Sequence, residues 1–233
     1  MNWNPDEHYK SRQVADEYDR KRFSSMAGRV FNYLEKRTIT KCFASVPRGG
    51  TIVDAPCGTG RLAEPLLAAG YRVHGLDISD EMLDVARQRL RVFRDRFTCE
   101  VADVKAERPR GPLYDAALCA RVLMHFPLDQ QIEFLSGVAA FSRTAVVINH
   151  SLDSGYQRLR RRVKHWLGHQ ASANHPVSNA DIKELLQKSG LREVQRYRLV
   201  SLVSEAVYIV AEHAMETSET SRPTRAHTTA ASL

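Results

Sequence analysis

The sequence predicts an α/β fold: a seven-stranded, mostly parallel sheet with an antiparallel last strand, an N-terminal helical cap and a helical insertion. Three observations predict it. From Thr51 onward, short apolar runs alternate with segments of helical period, the pattern of strands joined by crossover helices. The first run leads straight into a glycine turn and then a helical pattern. The chain has 233 residues, enough to bury a full core as one domain with additions.

The elements follow in order. Residues 1–45 predict the cap, with Val30, Phe31, Leu34 and Ile39 at helix-compatible spacing until Arg48-Gly49-Gly50 breaks the pattern. Residues 46–213 form the main domain. Its strands are predicted at Thr51–Ala55, Arg72–Asp77, Phe97–Ala102, Tyr114–Ala120, Thr144–Asn149, Glu193–Val200 and Ala206–Ala211. Helices are predicted at Gly60–Ala69, Asp80–Val92, Leu128–Phe141 and Asn179–Ser189. Ser79 is a good N-cap, and Asp80 and Glu81 suit the positive end of the helix that follows. Gly190 is a left-handed cap for the last helix. The insertion covers about 153–178. The tail, 214–233, is rich in Ser, Thr and Ala with little to bury, which predicts disorder.

Composition narrows the function classes. The apolar share of 43% and charged share of 26% are those of a water-soluble globular protein, and no run of about 18 apolar residues spans a membrane. The first residues, Met1-Asn2-Trp3-Asn4-Pro5-Asp6-Glu7, lack the basic and apolar parts of a secretory signal. The four cysteines, Cys42, Cys57, Cys99 and Cys119, have no CxxC pair and no histidine at ligand spacing. A metal site and a disulfide framework are therefore not expected, and a cytoplasmic location is. The net charge of +7 admits an anionic partner without naming one.

The chemistry concentrates in Thr51-Ile52-Val53-Asp54-Ala55-Pro56-Cys57-Gly58-Thr59-Gly60-Arg61. Gly58 and Gly60 let the backbone approach a ligand closely. Asp77 ends the second strand 17 positions after Gly60, near the roughly 20-residue offset at which an acid reaches a ribose hydroxyl. Asp103 ends the third strand, so three acids fall on one edge of the sheet, where open α/β sheets bind ligands. A dinucleotide fingerprint is formally met by Gly58-Thr59-Gly60-Arg61-Leu62-Ala63. It leaves Asp54-Ala55-Pro56-Cys57 and Asp103 unexplained, and the chain has no Tyr-x-x-x-Lys pair to serve a hydride reaction.

Together with Gly75-Leu76-Asp77-Ile78-Ser79, Ala102-Asp103-Val104 and Tyr114-Asp115-Ala116-Ala117-Leu118-Cys119-Ala120, this stretch resembles class I S-adenosylmethionine-dependent methyltransferases with a Rossmann-like sheet. The similarity is closest to the small-molecule group called methyltransferase 11 or 25, over about residues 48–150. The resemblance implies S-adenosylmethionine as cofactor. It implies that the loop of Asp54, Ala55, Pro56, Gly58 and Gly60 holds the methionine part, and that Asp77 binds the ribose, with Ile78 against the adenine. Asp103 and Val104 would meet the adenine edge, and Ala120 would lie near the sulfonium. Pro56 departs from the family, which usually has glycine there; proline fixes φ and removes one donor.

His125, in Arg121-Val122-Leu123-Met124-His125-Phe126-Pro127 after the fourth strand, is the candidate general base. The bland alternative is a histidine that only shapes its loop. Tyr9, Tyr18, Arg20, Arg22, Phe23 and Arg29 could cover the cofactor as a lid. In the insertion, Leu159, Val163, Trp166 and Leu167 share a helical face opposite Arg158, Arg160, Arg161, Arg162 and Lys164. A lid helix is the plain reading; segment 157–167 on an anionic membrane surface is the sharper one. No nucleic-acid-binding module is recognisable. The expected function is methyl transfer to oxygen or nitrogen of a small-molecule acceptor. The alternatives are a cofactor-binding module without catalysis and a methyltransferase for a lipid-linked acceptor.

Overall fold

The computed structural model describes residues 23–106, 108–152, 177–199 and 206–214. The expected insertion helix, the tail beyond Ala214 and the N-terminal Tyr9, Tyr18, Arg20 and Arg22 lie outside the described residues, as does Val200.

Helix α1 (Met26–Cys42) starts at Ser25, whose side chain accepts from the Gly28 N–H at 3.0 Å. Then come β1 (Thr51–Asp54), α2 (Ala63–Ala68), β2 (Arg72–Asp77), α3 (Asp80–Arg89), β3 (Phe97–Val101), β4 (Tyr114–Cys119), α4 (Leu128–Ala140), β5 (Ser142–Ser151), α5 (Asn179–Lys188), β6 (Leu191–Arg198) and β7 (Ala206–His213). As expected, Ser79 caps α3 by accepting from the Met82 N–H, and Gly190 after α5 has φ +70°.

Helix α2 begins three residues later than the sequence suggested. Gly60 has φ +70°, outside helical geometry, so the turn takes up the chain as far as Leu62. Strand β5 is longer than expected at both ends. Its Ser142 pairs with Tyr114 and its Ser151 with Ala206, partners that local periodicity does not reveal.

The seven strands run in the order β3-β2-β1-β4-β5-β7-β6. All neighbours from β3 to β5 are parallel, while β7 is antiparallel to both β5 and β6. Because strand side chains alternate between faces, the core divides into two layers. Ile52, Leu118, Val147 and Tyr208 meet Ile39, Leu66 and Leu83 from α1, α2 and α3. Val53, Ala117, Val146 and Ile209 meet Leu135, Ile182 and Leu185 from α4 and α5. The chain winds outward from β1 to β3, then returns to β4 on the other side. That reversal opens a crevice above the carboxyl ends of β1 and β4.

Candidate functional site

A cavity of about 130 Å³ occupies this crevice. Its floor is the turn after β1. Gly58, at φ +54°, and Gly60, at +70°, adopt backbone that other residues rarely take. Their surroundings differ. A Cβ on Gly58 would meet nothing within 4 Å, whereas one on Gly60 would lie 2.7 Å from Leu90 Cδ1. Gly58 therefore faces open space and lines the cavity, while Gly60 lets the loop settle on α3. Pro56, cis to Ala55, also lines it.

Two buried acids border the turn. Asp77 accepts from the Gly58 N–H at 2.7 Å through Oδ2 and from the Ser79 N–H at 3.0 Å through Oδ1. A carboxylate has about four lone-pair positions, so acceptor capacity is left for a ligand. Burial raises the Asp77 pKa, and these N–H donors hold it back. Asp54 is 2% exposed. Its burial, and secondly the charge of Asp77, push it up to about 8, against the pull of Arg61 and a hydrogen bond with Cys57. Asp54 Oδ2 is buried without a hydrogen-bond partner among the described residues.

Across the crevice, β4 delivers Ala120, Arg121 and Val122 to the cavity wall, and a short 3-10 turn, Leu123–His125, brings His125 there too. The turn is held from behind. The Ser151 N–H donates to His150 Nδ1 at 2.9 Å, which leaves Nε2 to carry the proton toward Gln131 Oε1, also 2.9 Å away. Gln131 Nε2 in turn donates to the Phe126 carbonyl at 2.8 Å. His150 is fully buried, and desolvation lowers its pKa to about 4, so this relay stays neutral at physiological pH.

Of the residues singled out in the sequence, Asp54, Pro56, Gly58, Asp77, Ile78, Ala120 and His125 meet around the cavity. Ala55, Gly60, Asp103 and Val104 do not line it. Ala55 is buried, its N–H joined to the Leu118 carbonyl. Asp103 Oδ1 accepts from the Lys105 N–H at 2.9 Å, closing a local turn. Val104 is buried under α4, where a Cβ on Gly137 would collide with its carbonyl at 2.1 Å.

Sequence reasoning missed a charged cluster at the rim. Glu35, fully buried on α1, sits 2.7 Å from Arg61 Nη1 and 3.4 Å from Arg121 Nη1, and it accepts from the Tyr208 hydroxyl. A signal was present: Glu35 falls in the apolar stripe of Phe31, Ile39 and Cys42, where an unpaired charge would be too costly to bury. No metal-binding group of three or more His, Cys, Asp or Glu occurs among the described residues.

Residues 52–144 match the model of a family described as a methyltransferase domain. Over 104 residues the chain is 30% identical to the magnesium-protoporphyrin O-methyltransferase of Synechocystis, covering 43% of this chain and 44% of that protein. Over 80 residues it is 38% identical to the ubiquinone biosynthesis O-methyltransferase of Nitrosomonas europaea, covering 33% of each. The chain thus spans less than half the length of these curated relatives. The crystal structure of the Synechocystis magnesium protoporphyrin IX methyltransferase with bound S-adenosylhomocysteine superposes at a TM-score of 0.72, over 89% of this chain and 97% of that one. At 18% identity that likeness establishes a shared fold.

Proposed function

We propose, from a chain whose residues 52–144 carry a methyltransferase domain on the class I S-adenosylmethionine-dependent methyltransferase sheet, that this protein is itself such an enzyme. Its acceptor is a small molecule methylated on oxygen or nitrogen, and the names of the O-methyltransferase relatives favour oxygen. The observation that carries the reading is the join between Gly58 and Asp77, which sets a glycine turn and a buried acid side by side at the crevice. Four cysteines without a disulfide fit the reducing cytoplasm. No helix among the described residues is long and apolar enough to cross a membrane.

The cofactor supplies a methyl group on a cationic sulfur, open to direct displacement. The chain's part is to bind, orient and exclude water. Asp77 has lone pairs to spare for ribose hydroxyls, and Ile78 offers an apolar contact for the base. Asp77 gives the crevice an acidic side suited to a cation, and Asp54, whose Oδ2 has no hydrogen-bond partner among the described residues, borders the same cavity. Ala120, with no bulky side chain, leaves room beside the turn. His125, at the cavity wall, is the side chain assigned to take a proton from a phenol or amine acceptor.

Titration calorimetry with S-adenosylhomocysteine tests binding, and a methyl-release assay on candidate acceptors tests turnover. Micromolar binding with turnover supports the reading. Binding without turnover on any acceptor would mark a non-catalytic module, and no binding at all would end the proposal.

A further inference from the structure

Granted the methyltransferase reading, we infer that Arg121 is a specificity determinant that selects an acceptor bearing a carboxylate. Two guanidinium groups converge on the single carboxylate of Glu35, and they are not equally served. Arg61 Nη1 lies 2.7 Å from Glu35 Oε2 and also donates to Asn32 Oδ1 at 2.8 Å, with its guanidinium 4.7 Å from the Phe23 ring centre. The Tyr208 hydroxyl donates to Glu35 Oε1. Arg121 approaches the same oxygen only to 3.4 Å, and its guanidinium otherwise lies 5.7 Å from the Phe31 ring centre. Its Nη2 is buried and has no hydrogen-bond partner among the described residues. Arg61 and Arg121 share the one carboxylate of Glu35, so the pair carries one positive charge more than Glu35 offsets.

The backbone singles out the same residue. Arg121 is the one described residue other than glycine with positive φ, at +69°. Such backbone is costly for a long side chain and persists where the surroundings enforce it, often at ligand sites. Arg121 also lines the cavity, directly after Ala120 and four positions before His125. A strained backbone, a counter-charge shared with Arg61 and an unsatisfied donor thus coincide at the cavity wall.

The missing partner is a monoanion with planar oxygens. A carboxylate matches the guanidinium fork and neutralises one surplus charge. A dianionic phosphate fits less well, because it carries more charge than one shared guanidinium offsets and Asp77 borders the same cavity. Two carboxylates can reach this crevice: the acceptor's and the cofactor's own methionyl group. The proposal commits to the first, and the test separates them.

Arg121→Asn removes the guanidinium while suiting the left-handed backbone, so it should fold and melt at or above the wild-type temperature. Arg121→Lys keeps the charge without the fork. Calorimetry on wild type and both variants would use S-adenosylhomocysteine and 5′-methylthioadenosine, which lacks the carboxylate. Protein saturated with S-adenosylhomocysteine would then be titrated with matched acids and amides: benzoate against benzamide, 3-phenylpropionate against its amide, hexanoate against hexanamide. At least one acid should bind wild type about tenfold or more above its amide, the loss expected for one charge-assisted contact. Arg121→Asn should abolish that preference with S-adenosylhomocysteine affinity held within about twofold, and Arg121→Lys should retain part of it. The proposal is overturned if wild type prefers none of the acids, or if Arg121→Asn keeps the preference. It is also overturned if Arg121→Asn weakens S-adenosylhomocysteine but not 5′-methylthioadenosine, which gives the arginine to the cofactor. Failure of wild type to bind S-adenosylhomocysteine would instead remove the methyltransferase reading beneath it.

Discussion

The Gly58 N–H reaches Asp77 Oδ2 across 2.7 Å, so the turn after β1 is tied to the acid ending β2. Asp77→Ala should therefore loosen the turn as well as remove a ribose acceptor. A loss of about 1–3 kcal/mol in S-adenosylhomocysteine affinity is expected, the usual range for hydrogen bonds to a charged group. Asp77→Asn should fall between, since an amide cannot accept from both N–H donors. Calorimetry decides; unchanged affinity in Asp77→Ala would take this acid out of the site.

Asp54 gives the fold a pH signature. Its folded pKa of about 8 lies above its ordinary 3.8, so over the intervening range the unfolded chain has released a proton that the folded chain still holds. Stability must then fall as pH rises through that range and level off above about 8. His150 works in the opposite sense, its pKa lowered from 6.5 to about 4, so it offsets Asp54 below 6.5. The clean window is pH 6.5 to 8, where the protein should lose about 1–2 kcal/mol and Asp54→Asn should lose less. Urea denaturation at several pH values measures it; equal slopes for both proteins would contradict the assignment.

His125→Ala should cut turnover by about 10²–10⁴-fold while cofactor affinity stays intact, the range for loss of a general base. The assay needs an acceptor that must lose a proton. If turnover persists with such an acceptor, His125 only shapes its loop.

Gln131 tests the support behind that loop. Removing its side chain orphans the Phe126 carbonyl and His150 Nε2, both inside the core. Gln131→Ala should cost about 1–3 kcal/mol of stability per orphaned group. Chemical denaturation reads this directly, and a loss below about 0.5 kcal/mol would mean that water or a rearranged side chain replaces the contacts.

What was legible in the sequence was what depends on neighbours along the chain. Strand β2 runs over Arg72–Asp77 as expected, because its apolar residues, its terminal acid and the Ser79 cap are contiguous. Asp77 could be placed beside the glycine turn because its offset of 17 positions from Gly60 follows from strand-turn-helix geometry. Asp103 and Val104 show the limit of that logic. A strand's end fixes where a residue sits but not where its side chain turns, and Asp103 closes on its own backbone instead. Arg121 was less legible still. Nothing local announces a left-handed arginine, and its partner Glu35 is 86 positions away.

Strand β7 is the last of the described strands in the chain yet lies between β5 and β6. A ribosome must therefore deliver every residue through His213 before the sheet can close, because β6 touches the rest of the sheet only through β7. A nascent chain halted before Ala206 would present two open hydrogen-bonding edges at once, each ready to recruit another chain. Premature stop codons upstream of that strand should yield aggregates rather than shortened but working protein.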